Sequence, residues 1–178
     1  HAAGYALPNT ASLDHITVMG ACMSATHGSG NANGNLATSV CGLEMVTANG
    51  DLTTMTREKD WDRFNGAVVA LGALGIVTRV TLDLVPTFTI QQQVYQKLPL
   101  TRVYESFDEI MGAGYSVSLF PTFQKDYVES LWIKQRVPVG DGFPATFFDA
   151  PLVAEGHVWE EPADRQWTPM GTPGPWHE

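Results

Sequence analysis

The sequence has little cysteine, little positive charge and no long apolar run. Cys22 and Cys41 are the only cysteines in 178 residues. With no CxxC spacing and no second pair, a disulfide framework is excluded, and both read as buried free thiols in small, apolar surroundings. A reducing cytoplasm is the setting this predicts. Ten Lys and Arg stand against 19 Asp and Glu, a formal net charge of -9, which argues against nucleic acid or an anionic membrane surface as a partner. A small neutral substrate or an enclosed cofactor suits that balance better. No apolar stretch approaches the roughly 20 residues of a membrane span, and no charged n-region with an apolar core opens the chain. The chain reads as soluble, without internal repeats or low-complexity tracts.

What the sequence does have is a continuous run of hydroxyls, small residues and glycines from Pro8 to Gly30. Phosphates and a sugar chain need several N–H donors pointing one way, and side chains small enough to let the backbone come close. Thr17 is placed to N-cap a short helix over Val18 to Ala25, whose first free amides attract an anion. The following Thr26-His27-Gly28-Ser29-Gly30-Asn31-Ala32-Asn33-Gly34 has too many glycines for a helix and too few apolar residues for a strand. It reads as a loop that approaches a ligand, with a plain surface turn as the alternative.

Two familiar phosphate motifs do not fit. Gly28, Gly30 and Gly34 miss the GxGxxG spacing by one residue and follow a helix where a dinucleotide fingerprint needs a strand. The P-loop ending is absent, and the nearest lysine, Lys59, is far downstream. His27 and His15 have no Cys or His at metal spacing, so no metal site is expected. His27 either braces its loop or touches the ligand; for His15 the structural role is favoured. Ser24 and Ser29 lack a Gly-x-Ser-x-Gly elbow and ordered Asp and His partners, which leaves a hydrolase triad unsupported. Asp60 and Asp62, with Glu58, Lys59 and Arg63, read as a solvated helix end.

Along the rest of the chain, Cys41 to Ala48 and Asp51 to Thr56 flank Asn49-Gly50, which predicts a hairpin. Trp61, Phe64, Ala67, Val68 and Leu71 have helical spacing, predicting a helix from Asp60 to Leu71. Gly75 to Leu84 alternates as a strand, with Ile76, Thr78, Val80, Leu82 and Leu84 on one face. The character changes at Val85-Pro86-Thr87, where a domain boundary is expected, giving units 1–86 and 87–178. Phe88 to Leu98 reads as a strand with Ile90, Gln92, Val94 and Gln96 on one face. A helix over Thr101 to Gly112, with Thr101 as a cap, precedes strands at Tyr115 to Phe120 and Val128 to Arg136. After about Pro138 Pro and Gly recur and no period holds, so the tail reads as irregular, with packing partners beyond Glu178.

Four blocks carry a resemblance. They are Gly4-Tyr5-Ala6-Leu7-Pro8-Asn9-Thr10-Ala11-Ser12 continuing through Ile16-Thr17-Val18, Gly20 and Ala25-Thr26-His27-Gly28-Ser29-Gly30; Phe64 to Thr78 around Leu71-Gly72-Ala73-Leu74-Gly75; Tyr115 to Phe120; and Gly174-Pro175-Trp176-His177-Glu178. Together they resemble the alditol oxidase and xylitol oxidase group of the vanillyl-alcohol-oxidase type of FAD enzymes, which also includes the aldonolactone oxidases. The resemblance implies an α+β fold: the second half of a PCMH-type FAD-binding domain, followed by the start of an α+β substrate, or cap, domain. It implies FAD as cofactor. Ser12, Thr17, Gly20, Ala21, Cys22, Met23 and Ser24 would contact the ribityl chain and diphosphate, His27, Gly28 and Gly30 would form the loop beside the flavin, and Ile76 would offer its backbone to the adenine part. Ser12 would also lie near the docking substrate. Thr17 keeps the hydroxyl of the serine more usual there, whereas Cys22 and Met23 are bulkier than usual.

The implied reaction is oxidation of the terminal hydroxyl of a polyol such as xylitol or sorbitol, with oxygen as acceptor, giving an aldose and hydrogen peroxide. An aldonolactone oxidase is the related alternative, and a non-catalytic piece that binds no flavin alone is the third. The family's flavin-attachment histidine belongs upstream of His1 and its substrate-deprotonating residues downstream of Glu178, so the chain is expected to be an internal fragment, and no catalytic base is named.

Overall fold

The hairpin at Asn49-Gly50 and the alternation after Thr87 seed two separate sheets. The computed structural model describes residues 1–11, 13, 15–140, 142–153 and 170–177, and its contacts divide into two units, one of Tyr5–Gly28 and Asn33–Pro86, the other of His1–Gly4, Ser29–Ala32 and Thr87–Glu178.

In chain order the first unit contains β1 (Tyr5–Ala6), α1 (Val18–Met23), a 3-10 turn (Leu36–Ser39), β2 (Val40–Val46), β3 (Leu52–Thr56), α2 (Trp61–Val68), β4 (Ile76–Leu82) and β5 (Val85–Pro86). β2 and β3 pair antiparallel with Val46 opposite Leu52, and Gly50 takes a φ of 83° in the connecting turn, a conformation glycine adopts without a Cβ clash. β4 adds to the other side, giving the order β3-β2-β4. Phe64, Ala67 and Val68 of α2 close over Val40, Leu43, Met45 and Met55, with Cys22 in the same core. Arg57 ties the edge together, donating to the Thr38 carbonyl at 2.9 Å, to the Val40 carbonyl, and to Asp83 at 2.7 Å.

Two expectations change here. α2 ends at Val68 rather than Leu71, because the Leu71 N–H bonds the Met23 carbonyl instead of a helical one and Leu71 and Gly72 turn to φ 52° and 79°. In β4 the ladder slips between Glu44 opposite Arg79 and Met45 opposite Val77, so Thr78 is an extra residue. Such a bulge reverses which side chains face inward. Val77, Val80 and Leu82 therefore pack on the core, and Ile76 is left 76% exposed.

The second unit contains β6 (Thr89–Pro99), α3 (Leu100–Glu105), α4 (Phe107–Met111), β7 (Ser116–Pro121), β8 (Tyr127–Arg136), β9 (Thr146–Phe147), β10 (Ala150–Pro151) and β11 (Gly174–Pro175). Its main sheet is antiparallel in the order β11-β6-β8-β7. One face carries Tyr95, Val117, Leu131 and Ile133 and packs on Val103 and Ile110 from the helices. The other presents Ile90, Gln92 and Val94 of β6, opposite Arg136, Lys134 and Trp132 of β8, the face read from the sequence for β6.

The helix expected over Thr101 to Gly112 is two helices, broken where Ser106 takes φ -136°. Serine competes poorly for helical backbone, and the break lets Val103 and Ile110 both reach the core. Thr101 is not a cap, since the helix already begins at Leu100. The tail is also more ordered than expected. Phe143, Phe147, Phe148 and Leu152 pack against the core around buried Ala150, Leu152 bridges Tyr95, and the Tyr95 hydroxyl donates to the Pro144 carbonyl at 2.9 Å. Those packing partners lie within this chain. Ladders of two residues leave no period to read.

Candidate functional site

The hydroxyl-and-glycine run folds as the sequence suggests at its centre and more tightly at its ends. Thr17 is extended (φ -77°, ψ 144°) and its Oγ1 accepts from the Gly20 N–H at 3.2 Å, satisfying one amide that a helix start leaves open. α1 stops at Met23, short of the expected Ala25. The Ser24 hydroxyl bonds back to the Gly20 carbonyl at 2.9 Å and to Thr26 Oγ1 at 2.8 Å, and Ala25 turns to φ 51°, which ends the helix. Ala21 and Cys22 point their side chains into the core, where the Cys22 thiol lies 3.7 Å from the Leu36 carbonyl and burial raises its pKa. These two positions offer a ligand backbone only. A Cβ added at Gly20 would sit 2.7 Å from Thr17 Oγ1, so a side chain there would push against the cap that Thr17 makes.

The loop after α1 is fixed by backbone contacts. Thr26 N–H bonds the Ala21 carbonyl at 2.9 Å. His27 Nδ1–H donates to the Gly28 carbonyl at 3.0 Å, which fixes the tautomer and braces the loop. A Cβ on Gly28 would sit 2.2 Å from the Thr10 carbonyl oxygen and 3.0 Å from Asn9 Oδ1, so only glycine fits. Asn9 is 6% exposed, and its Nδ2 has no hydrogen-bond partner among the described residues. Sequence reading passed over Asn9, because nothing in Pro8-Asn9-Thr10 shows that the side chain turns inward. Ser12 lies outside the described residues. Gly30, at φ 119°, falls in the short stretch Ser29–Ala32 that belongs to the second unit.

The second matched block comes to the same place through one hydrogen bond, Leu71 N–H to the Met23 carbonyl at 3.4 Å. That bond sets the 71–75 turn against the end of α1. Gly75, at φ 151°, passes so close to the Val46 carbonyl that a Cβ would sit 2.3 Å from it, and Ile76 follows at the exposed start of β4, opposite Val46. The structure thus brings Thr17, Gly20, Met23, Ser24, His27 and Gly28 into one unit with Ile76. Among the described residues no three His, Cys, Asp or Glu side chains gather as a metal site.

Residues 1–56 match the family described as an FAD binding domain. Over 179 aligned residues the chain is 42% identical to an alditol oxidase from Streptomyces sp. (strain IKD472 / FERM P-14339), covering 100% of this chain and 42% of that protein. The chain belongs to the FAD-dependent oxidase family. It is also 33% identical over 134 residues to an L-gulono-1,4-lactone dehydrogenase from Mycobacterium tuberculosis, covering 74% of this chain and 30% of the relative. Among solved structures, a His121Ala mutant of cholesterol oxidase from Brevibacterium sterolicum superposes with a TM-score of 0.66 at 17% identity, over 79% of this chain and 29% of that one. This likeness concerns the fold, the mixed helix-and-sheet FAD-binding fold of the vanillyl-alcohol-oxidase type. The chain spans under half the length of the relatives it matches.

The cofactor of this family is FAD, and the residues present fit it. Asn9 Nδ2 is a buried donor with no acceptor among the described residues, and a buried donor of this kind is costly unless something accepts from it. Gly28 and Gly75 hold backbone where a side chain would block it. Thr17, the α1 backbone, the His27-Gly28 turn and Asn9 would hold the dinucleotide.

Within the first unit's cradle run, from Thr17 to Gly28, the only ionisable side chains besides Cys22 are imidazole. No helix among the described residues is long and apolar enough to cross a membrane.

Proposed function

We propose that the protein carrying this chain oxidises the terminal hydroxyl of a polyol, with oxygen as the electron acceptor. The supporting observation is the 42% identity to an alditol oxidase sustained across the whole chain, including the second unit, where a cofactor alone would not constrain the sequence. When bound, FAD takes two electrons from the alcohol carbon and passes them to oxygen, so an aldose and hydrogen peroxide leave. The chain's own residues bind and orient. Thr17 and the small residues of α1 keep backbone donors accessible, Gly28 lets the loop close on Thr10 and Asn9, and the His27 ring holds the Gly28 carbonyl in place. The domain division at Pro86 and Thr87 then separates a part that holds the cofactor from a part that faces the substrate. Ser12 is proposed at the join between cofactor and substrate.

An aldonolactone as substrate is the second reading, favoured by the 33% identity to the lactone dehydrogenase over 134 residues. The two separate in one assay. The full-length protein is mixed without oxygen with xylitol, sorbitol or an aldonolactone, and the visible flavin band is followed; oxygen is then admitted and peroxide measured. Bleaching by polyols, with one peroxide per turnover, supports the polyol reading. Bleaching by the lactone alone replaces it, and bleaching by none overturns both.

A further inference from the structure

Among the described residues of the first unit, the buried polar side chains are those of Asn9 and Ser39. Of these two, Asn9 carries an unmet group, an Nδ2 with no acceptor among the described residues. Its carboxamide is also held in place. A Cβ on Gly28 would lie 3.0 Å from Asn9 Oδ1 and 3.3 Å from Nδ2, so the loop backbone runs close against the amide, and the His27 ring braces that backbone by donating to the Gly28 carbonyl. A buried donor left open costs stability that a leucine in the same place would not. An acceptor brought by the cofactor removes that cost.

The surroundings select which acceptor. FAD offers phosphate oxygens, hydroxyls, adenine ring nitrogens and the carbonyls of its isoalloxazine ring. No lysine or arginine occurs from Tyr5 to Gly28. Further along the same unit, Arg57 is bound to Asp83 and to the Thr38 and Val40 carbonyls, and Arg79 lies 4.0 Å from Glu44. A phosphate at Asn9 would therefore be a buried charge facing one neutral amide and no cation. A hydroxyl needs an acceptor as well as a donor, whereas a carbonyl only accepts, which matches the single group that Asn9 leaves open. The carbonyls are also the acceptors on which negative charge grows when the cofactor is reduced.

We propose that Asn9 donates from Nδ2 to a carbonyl of the isoalloxazine ring and thereby helps to set the reduction potential of the cofactor. A fixed donor holds an oxygen that has gained negative charge more strongly than a neutral carbonyl. Asn9 then favours electron uptake from the substrate as well as retention of the cofactor. The inference rests on FAD as the cofactor and holds for a polyol or a lactone as substrate.

The test needs no substrate. The full-length protein with Asn9→Leu, and with Asn9→Ser in case leucine is not accommodated, is loaded with FAD; the midpoint potential is measured by reduction against a reference dye, and Kd for oxidised FAD by fluorescence. Oxidised FAD is expected to bind about tenfold more weakly and reduced FAD about a further tenfold more weakly, which lowers the midpoint potential by about 30 mV for a two-electron couple. Equal weakening of both forms, with the potential unchanged, overturns the carbonyl contact in favour of one to the ribityl chain, the adenine or a phosphate. An unchanged Kd and an unchanged potential overturn any contact between Asn9 and the cofactor. Neither result bears on the polyol reading, which the peroxide assay decides separately.

Discussion

The two sheets are built from similar strands and put their chemistry in different places. In the first unit the strands β2, β3 and β4 are scaffold, and the groups suited to a ligand lie in the turns: the α1 backbone, the His27-Gly28 loop and the 71–75 turn set against Met23. In the second unit the strands themselves carry polar side chains on one face, Gln92, Lys134, Ser116 and Ser118. A cradle for phosphates and a sugar chain needs backbone donors and clearance, which turns and glycines supply. A strand offers side chains at fixed spacing instead.

The contrast is broken most severely at Gly28. A Gly28→Val side chain meets the Thr10 carbonyl at a distance no Cβ tolerates, and the loop must move away. FAD content of the purified full-length protein is expected to fall by about tenfold or more, with a stability loss of about 1 to 3 kcal/mol by urea denaturation. If backbone clearance is the principle of the cradle, no substitution on the face of β8 reproduces this loss.

Asn9→Leu comes next and separates ligand binding from folding. The apoprotein loses only a buried donor that had no partner among the described residues, so its stability is unchanged or slightly higher. FAD dissociation, followed by fluorescence, should speed up or the affinity weaken by about tenfold, the equivalent of about 1.4 kcal/mol. Equal affinity would remove Asn9 from the cradle.

A smaller effect is expected from Thr17→Ala. Losing the cap to Gly20 costs about 1 kcal/mol in urea denaturation, and Thr17→Ser restores it.

The last effect is the smallest and belongs to the other sheet. Burial lowers the Lys134 pKa in the folded protein, so between that lowered value and the ordinary value of 10.5 the unfolded chain binds more protons than the folded one. Stability contributed through this group therefore increases with pH across that window, and the penalty is complete below it. The stability of Lys134→Met relative to the unsubstituted protein should accordingly be greatest at pH 7 and fall as the pH approaches 10. A difference independent of pH would show that the ammonium is not desolvated.

Much of this was legible in the residues. The hairpin was marked by Asn49-Gly50, the cap by Thr17, and the polar face of β6 by the alternation of Ile90, Gln92 and Val94. Family and cofactor were legible in four ordered blocks. What escaped depended on events outside a local window. The bulge at Thr78 that turns Ile76 outward arises from pairing with β2, and α2 ends early because Leu71 bonds Met23. The strands β9 and β10 are too short to have a period, and their order comes from Phe147 and Leu152 packing on Tyr95 and its neighbours. At the site, Asn9 is an ordinary loop residue until its burial is known.

The central claim, that turns of the first unit hold the cofactor by their backbone, is tested most directly by hydrogen–deuterium exchange of the full-length protein with and without FAD. Slower exchange at residues 17–28 and 71–76 in the FAD-bound form, with residues 127–136 little changed, is the predicted result. Equal exchange at 17–28 and 71–76 in both forms would contradict it.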